Sequence, residues 1–251
     1  MGEHADIDGL RAIIRERVWR LLVEKGEALP PFPVKGRIPN FRGAKEAAEK
    51  LAETAEWRRA RTLKVNPDSP QRHVRFRALM EGKLLVMPTP RIRRGFLVLD
   101  PRLIPRDKYR EASTIRGAFR YGRLLPTLAK IEEELPEIDL IVEGSVAVDH
   151  ECNRLGKGEG YGDLEYAMLY LTGKAGEKTP VATTVSELQI VERIPPKPND
   201  LPLDIVATPR RVFRCSTSHR RPKGLVLEAL TPDKVREIPL LREALNKYYR
   251  R

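Results

Sequence analysis

The sequence has 251 residues, of which 41% are hydrophobic and 33% charged, and its mean hydropathy is −0.45. These values exclude a disulfide-stapled mini-protein, a disordered chain and a membrane-embedded protein, because no apolar run approaches the roughly 18 residues of a membrane span. The acidic start lacks a signal-peptide core, so we expect a cytoplasmic protein. The formal charge of +12 favours acidic partners such as nucleotides, polyglutamate tails or nucleic acid.

In chain order, residues 7–25 place apolar side chains at helical spacing and predict an amphipathic helix. Arg11 and Arg15 lie four residues apart on another stripe of this helix. The proline-rich stretch 28–41 is predicted to be an ordered loop, and the alanine and glutamate residues of 43–59 predict a second helix. Buried strands are predicted from five apolar runs, and helices are expected at two places between them. The runs are 83–88, 95–100, 138–148, 179–191 and 203–213, and the helices lie near 124–134 and 161–172.

Alternating strands and helices predict a layered α/β fold with a mostly parallel sheet. A C-terminal helix is predicted to begin with Thr231 as its N-cap and Pro232 in its first turn. Internal repeats and long low-complexity tracts are absent from the sequence. We therefore predict one domain over 1–251, in which 216–251 forms a basic loop plus the C-terminal helix.

The two cysteines, Cys152 and Cys215, are too few for a disulfide framework and agree with a reducing compartment. His150 precedes the first cysteine and His219 follows the second, so the four side chains would suit tetrahedral zinc if the two segments met. Since His-x-Cys is an unusual ligand pair, we expect two unconnected loop cysteines instead.

A glycine-rich loop follows the predicted strand of 138–148. It has the sequence NRLGKGEGYGDLEY over 153–166, with a glycine at every second position from Gly156 to Gly162. Such a loop exposes backbone N–H groups, and the helix that begins after it adds positive charge at its N-terminus. The loop is neither a Walker loop nor a dinucleotide fingerprint. It predicts a phosphate-binding site, with an ordinary tight turn as the alternative.

The stretch NRLGKGEGYGD at 153–163 resembles the signature N-R-L-G-x-G-x-G-Y-Y-D of 5-formyltetrahydrofolate cyclo-ligase, also called methenyltetrahydrofolate synthetase. The stretches 179–191 and 198–209 resemble the final strands of that family. The chain is more similar still to the methenyltetrahydrofolate synthetase domain-containing proteins. The motifs that carry this similarity are IRERVW at 14–19, RIPNF at 37–41, MPTPRIR at 87–93 and GKGEGYGDLEYAM at 156–168.

The resemblance implies a three-layer α/β fold of the sugar-isomerase and CoA-transferase type. It also implies an ATP- and Mg²⁺-dependent reaction that converts 5-formyltetrahydrofolate, or a related reduced formyl-pterin, to the 5,10-methenyl form. In that reaction the γ-phosphate is transferred to the formyl oxygen, the neighbouring nitrogen attacks the activated carbon, and phosphate leaves. Such chemistry requires positioning and charge neutralisation.

The resemblance also implies the site residues. Asp163 and Asp200 correspond to the two carboxylates of the magnesium site, and Arg154 and Lys157 would supply catalytic positive charge. From the sequence alone, Asp163 could instead only complement the helix dipole, and Arg11 and Arg15 could be a solvated helix face. The residues assigned to ATP are Arg11, Arg15, Arg154, Gly156, Lys157, Gly158, Gly160 and Tyr161.

The chain departs from the family pattern at three places. Gly162 replaces the second tyrosine of the signature, and Glu159 adds a negative charge to the phosphate loop. The glutamate segment E-[VI]-x-T, which meets the folate in the family, has no counterpart, and RIPNFRGAKEAA stands in that region. The alternative hypothesis is a relative that binds a nucleotide or RNA without this chemistry, through the basic clusters 91–95 and 210–223.

Overall fold

An eight-stranded sheet forms the centre of the protein in the computed structural model. The structure describes residues 2–215 and 219–250, and in the first helix it describes side chains from residue 7 onward. Two further pairs of short strands lie outside this sheet. The strands are β1 Ala28–Leu29, β2 Asn40–Phe41, β3 Thr62–Val65, β4 Leu84–Pro88, β5 Phe96–Leu99, β6 Arg123–Leu125, β7 Leu140–Glu143, β8 Ala147–Val148, β9 Arg154–Leu155, β10 Val181–Thr184, β11 Ile205–Ala207 and β12 Val212–Arg214.

The order of the strands in the sheet is β12-β11-β10-β7-β3-β4-β5-β6. The five central strands, from β11 to β4, pair in parallel, whereas β12 at one edge and β5 and β6 at the other pair antiparallel. The prediction of a mostly parallel sheet is therefore confirmed.

Helices cover both faces of the sheet and both ends of the chain. The α-helices are α1 Gly2–Glu24, α2 Ala44–Ala52, α3 Ala55–Arg59, α4 Arg72–Met80, α5 Tyr109–Ala112, α6 Ile115–Tyr121, α7 Leu128–Glu134, α8 Tyr161–Leu171, α9 Pro232–Glu237 and α10 Pro239–Ala244. Short 3₁₀ turns occur at Pro90–Ile92, Pro101–Leu103, Arg106–Lys108, Glu187–Gln189 and Leu227–Ala229, and Leu245–Tyr249 is a π-helical turn. None of the helices in the described parts of the chain is long and apolar enough to cross a membrane.

The side chains of the sheet alternate between two separate cores. Val86 and Ile141 point into the core that contains α7, α8 and α10, whereas Leu85, Leu140 and Val142 point into the core that contains α2 and α4. This alternation follows from the two-residue period of a strand. A third cluster packs α1 against β2 and β8. The sheet thus lies between two helical layers, which confirms the three-layer α/β architecture expected from the sequence.

Most predicted elements are present, with shorter or divided bounds. The helix predicted over 43–59 is divided into α2 and α3, because Thr54 accepts a hydrogen bond from the backbone N–H of Trp57 and starts a new helix. The C-terminal helix begins with Thr231 as predicted, but Pro239 divides it into α9 and α10. Strand β3 was not predicted from the sequence. It is only four residues long and contains Lys64, so it does not form an apolar run.

The expectation of two unconnected cysteines is wrong. Cys152 and Cys215 form a disulfide, and their Cα atoms are 5.7 Å apart. The hairpin of β11 and β12 brings Cys215 beside the turn that follows β8, where the backbone carbonyl of Cys152 accepts a hydrogen bond from Leu203. Neither sulfur is therefore available as a zinc thiolate, and the argument for a reducing compartment from free cysteines does not hold.

The strand order places a crevice at the carboxyl ends of β3 and β7. From β3 the chain proceeds to β4 on one side, and it later returns to place β7 on the other side of β3. In open α/β sheets, ligands bind at such a reversal of strand order, because the loops after the two strands diverge. The loops that leave β3 and β7 here begin with Asn66 and Gly144, and both residues line a cavity of about 920 Å³. The one-domain division of the chain stays a prediction, and residues 216–218 of its basic loop lie outside the described residues.

Candidate functional site

A cavity of about 920 Å³ lies at the carboxyl ends of β3 and β7. This volume is at the upper end of the roughly 300–1,000 Å³ typical of small-molecule sites. The lining includes every residue that the sequence assigned to a site: Arg11, Arg15, Arg154, Gly156, Lys157, Gly158, Gly160, Tyr161, Asp163 and Asp200. The fold thus brings together residues from α1, the glycine-rich loop, the start of α8 and the segment before β11.

The glycine-rich loop runs from β9 to the start of α8. Gly158 has a φ of 106° and Gly160, which caps α8, has a φ of 69°, so both adopt backbone conformations that favour glycine. Arg15 crosses this loop: its Nε donates a 2.8 Å hydrogen bond to the carbonyl of Gly156. A Cβ atom on Gly158 would lie 3.6 Å from Cζ of Arg15. Helix α1 and the loop are therefore held together at the cavity wall by Arg15, which is not on a solvated face.

Arg11 is buried and forms a bidentate pair with Asp200. Its Nη1 lies 2.6 Å from Oδ2 and its Nη2 lies 2.8 Å from Oδ1 of that carboxylate. The backbone N–H of Lys197 donates a further 2.7 Å hydrogen bond to Oδ2. The guanidinium of Arg11 is thus already engaged by a carboxylate, although the resemblance assigned it to nucleotide phosphates.

Arg154 and Asp163 form a second buried pair beside the first. Arg154 donates from Nη1 to the carbonyl of Gly144 at 2.8 Å and from Nη2 to Oδ1 of Asp163 at 3.0 Å. The same Oδ1 atom accepts a 3.1 Å hydrogen bond from the backbone N–H of Leu201. Burial raises the pKa of Asp163, and the charge of Arg154 acts in the opposite direction. The pair fixes the start of α8 to the end of β7.

Of the two carboxylates predicted to bind magnesium, Asp163 has an oxygen available for the ion and Asp200 does not. Oδ2 of Asp163 accepts no hydrogen bond within the described residues, so one carboxylate oxygen is available, and Mg²⁺ commonly takes one or two carboxylates with phosphate and water oxygens. Both oxygens of Asp200 are already bonded to Arg11 and Lys197. Across the described residues, no group of three or more His, Cys, Asp or Glu side chains is arranged to hold a metal ion. Asp200 therefore does not fit the role of magnesium ligand in this arrangement.

A buried charge cluster, which the sequence did not predict, lies beneath the cavity. Lys64 of β3 lies 2.5 Å from Oε1 of Glu143 and 2.5 Å from Oε2 of Glu165, and its Nζ also donates a 3.0 Å hydrogen bond to Asn66. The side chains of Lys64 and Glu143 are wholly inaccessible, and that of Glu165 is 4% exposed. A glutamate within the predicted strand of 138–148 was the available signal, because a carboxylate in a buried strand requires a partner.

Gly162 is explained by the position of Glu143. A Cβ atom at residue 162 would lie 2.5 Å from Oε2 of Glu143 and 3.2 Å from Nη2 of Arg154. Because Lys64 holds the Glu143 carboxylate in place, that carboxylate cannot move aside easily. The absence of the second tyrosine of the family signature is therefore matched by a charged group that fills the space beside the loop.

We expect the Gly162→Ala variant to lose about 1–3 kcal/mol in free energy of unfolding, because the added methyl group overpacks the site. Alanine is the better helix former by up to about 1 kcal/mol, so the loss would have to overcome this gain. Gly9→Ala in α1 is the matched control, since a Cβ atom there meets nothing within 4 Å. Urea denaturation measures both; equal stabilities of the two variants would contradict the steric argument.

The stability of the protein should depend on the ionisation of Glu165. Burial and, to a smaller extent, the charge of Glu143 raise the pKa of Glu165 to about 7, against the opposing effect of Lys64. Between the ordinary pKa of 4.5 and about 7, the folded state keeps a proton that the unfolded state has lost. Stability from this group is therefore present at low pH and decreases as the pH rises through that window, by about 3 kcal/mol at most.

The Glu165→Gln variant isolates this effect, because its amide does not titrate. We expect the thermal midpoint of Glu165→Gln, relative to the wild type, to increase from pH 4.5 to pH 7. Differential scanning fluorimetry across that range measures the difference. Parallel pH curves for the two proteins would mean that Glu165 titrates at its ordinary value.

The C-terminal basic cluster is partly neutralised. Arg211 pairs with Glu187, Arg214 with Glu56, Arg221 with Asp204 and Lys223 with Glu177. In the first cluster, Arg91 and Arg93 line the cavity. RNA binding stays a hypothesis that no contact described here favours.

The sequence model of the 5-formyltetrahydrofolate cyclo-ligase family matches residues 8–209. Methenyltetrahydrofolate synthase domain-containing proteins of Bos taurus and Homo sapiens are 38% and 35% identical over 234 residues, which make up 91% of this chain and 60% of each relative. The chain thus spans about 60% of the length of these curated relatives.

The NMR structure of Aquifex aeolicus 5,10-methenyltetrahydrofolate synthetase is similar in fold, with a TM-score of 0.50 and 19% sequence identity. The match covers 82% of this chain and 92% of that protein. The family match extends over most of the chain and includes the glycine-rich loop, Asp163 and Asp200, and Arg11 and Arg15 of α1. On these grounds the chain belongs to the 5-formyltetrahydrofolate cyclo-ligase family.

Proposed function

We propose that the protein catalyses the ATP-dependent cyclisation of 5-formyltetrahydrofolate, or a related reduced formyl-pterin, to the 5,10-methenyl form. The γ-phosphate of ATP is transferred to the formyl oxygen, the neighbouring nitrogen attacks the activated carbon, and phosphate leaves as the ring closes. This reaction needs a site that holds a triphosphate beside a second ligand and balances its negative charge.

The observation that carries this proposal is the position of the glycine-rich loop. Gly158 and Gly160, both with positive φ, line the cavity immediately before α8, an 11-residue helix. Backbone N–H groups and the positive end of a helix dipole attract phosphate oxygens. The size of the cavity, about 920 Å³, leaves room for a second ligand next to a nucleotide.

The electrostatics of the cavity favour an anion. Burial lowers the pKa of Arg15, and the nearby charge of Arg11 lowers it further. Burial also lowers the pKa of Lys234, which lines the cavity opposite Gly160. Cations whose pKa is lowered in this way gain stability when an anion binds beside them. Triphosphate binding would supply that negative charge.

Glu159 does not oppose this role. Its carboxylate lies 3.0 Å from Nζ of Lys157 and 3.4 Å from Nη2 of Arg91. The extra negative charge in the phosphate loop is therefore balanced by two neighbouring cations, one of them from the turn after β4.

The remaining residues take supporting roles in the proposal. Arg154, held by Gly144 and Asp163, fixes the base of the loop and contributes positive charge beneath the phosphates. Lys157 is 34% exposed and can turn from Glu159 toward a bound phosphate. Magnesium, carried in with the nucleotide, would neutralise phosphate charge, and the free Oδ2 of Asp163 is the protein oxygen that fits it.

The test combines binding and turnover in the same samples. We expect Mg·ATP to raise the thermal midpoint, and 5-formyltetrahydrofolate added with it to give the absorbance of the methenyl product. The matched control is 5-methyltetrahydrofolate, which has the pterin but no formyl oxygen to phosphorylate. A rise in midpoint without product would contradict the cyclo-ligase proposal, and no rise with ATP would also contradict the phosphate-binding role of the glycine loop.

A further inference from the structure

The carboxylate of Asp200 is saturated by the protein itself. Three donors reach it: Nη1 and Nη2 of Arg11, at 2.6 and 2.8 Å, and the backbone N–H of Lys197, at 2.7 Å. The side chains of Arg11 and Asp200 are only 7% and 10% exposed. A bidentate guanidinium–carboxylate pair with this geometry is among the strongest that proteins form. A divalent cation at Asp200 would therefore have to displace Arg11 from a buried position.

Asp163 lies next to this pair but does not share its counter-ion. The N–H of Leu201, the residue after Asp200, donates to Oδ1 of Asp163, so the two carboxylates are adjacent. Arg154 neutralises Asp163 as Arg11 neutralises Asp200. The four groups together carry no net charge. Because each carboxylate is balanced by an arginine, the pair attracts a divalent cation less strongly than two unpaired carboxylates would.

We propose that Arg11 is a built-in counter-ion that occupies the cation position at Asp200 and keeps the nucleotide-free protein from binding divalent metal. Removing the Arg11 charge would leave Asp163 and Asp200 as a two-carboxylate cation site. Arg11 thereby determines that metal enters only with the phosphates. The role of Arg11 in metal entry with the phosphates rests on the proposed function. Its role as a counter-ion, and the cation site left by its removal, concern the protein alone and are tested without nucleotide.

The experiment measures Mn²⁺ binding to nucleotide-free protein from the loss of the free-ion electron paramagnetic resonance signal. We expect Arg11→Met to bind Mn²⁺ at least tenfold more tightly than the wild type, and the double variant Arg11→Met/Asp200→Asn to lose that gain. Arg17→Met is the matched control, because it removes an exposed charge from the same helix. It should bind Mn²⁺ as weakly as the wild type.

Thermal unfolding gives a second readout, because Arg11→Met leaves Asp200 buried without a counter-ion. We expect Mn²⁺ to raise the thermal midpoint of Arg11→Met but not of the wild type or the double variant. Equal Mn²⁺ affinities of Arg11→Met and wild type would overturn the proposal. If Arg11→Met does not fold, Mn²⁺ binding to the nucleotide-free wild type tests the proposal. Tight binding that Asp200→Asn abolishes would overturn the proposal, and the absence of binding would support it. Failure of ATP turnover would leave these results unaffected.

Discussion

Replacement of Lys64 by methionine is expected to lower the free energy of unfolding by about 3–5 kcal/mol. Lys64 is the central counter-ion of a cluster in which Glu143 is inaccessible and Glu165 is 4% exposed. Without the ammonium group, two carboxylates remain close together in the interior. The charge of Lys64 also opposes the effect of burial on the pKa of both glutamates, so both pKa values should rise in the variant. Urea denaturation at pH 7 measures the loss.

The triple variant Lys64→Met/Glu143→Gln/Glu165→Gln is the control for this argument. It removes all three charges, so we expect it to recover a large part of the lost stability, since neutral replacement of a complete buried ion cluster is often tolerated. This role of Lys64 would be contradicted if Lys64→Met lost less than about 1 kcal/mol in free energy of unfolding, or if the triple variant recovered none of the loss. Either result would mean that Lys64 does not stabilise the protein by balancing buried negative charge.

Replacement of Arg15 by methionine is expected to weaken ATP binding by about 10- to 100-fold. A hydrogen bond to a charged group contributes about 1.5–3 kcal/mol, which corresponds to that range. Arg15 supplies its charge at the glycine-rich loop and also orients the loop through the carbonyl of Gly156. Isothermal titration calorimetry with ATP measures the effect.

Arg17→Met is the matched control for Arg15→Met. Arg17 is exposed two residues further along α1, so its loss changes the net charge equally without touching the loop. We expect its ATP affinity to stay within about twofold of the wild type. If both variants lose the same affinity, the effect comes from the overall charge of the protein, and Arg15 has no specific role at the loop.

The family motif predicted a set of residues that the fold brings to one cavity, because most of the motif is local in sequence. Glycines at alternate positions, followed by an acidic residue at a helix start, predict a phosphate loop from ten residues of sequence. The residues that the motif selected, between Arg154 and Asp163, line one cavity with Asp200 and with Arg11 and Arg15 of α1. Their assigned chemical roles remain proposals.

The groups that each arginine and cysteine side chain contacts could not be predicted from the sequence. Arg11 and Arg15 have the same residue type and lie one helical turn apart, yet Arg11 binds a carboxylate 189 residues away and Arg15 binds a loop carbonyl. The disulfide between Cys152 and Cys215 likewise depends on the β11–β12 hairpin, which the sequence merged into a single run. Such contacts depend on long-range packing, because neither partner carries a local signal of the other.

The sequence by itself determined the layered α/β class and most of the parallel strands, because hydrophobic periodicity acts over a few neighbouring residues. It also predicted a phosphate loop from glycine spacing. Only the tertiary structure decided that β3 is a central strand, that Lys64 contacts two glutamates beneath the cavity, and that Gly162 must lack a side chain. These features depend on which charges are buried together. A buried charge is stable only beside its partner, and strands distant in sequence supply that partner only after the sheet has assembled.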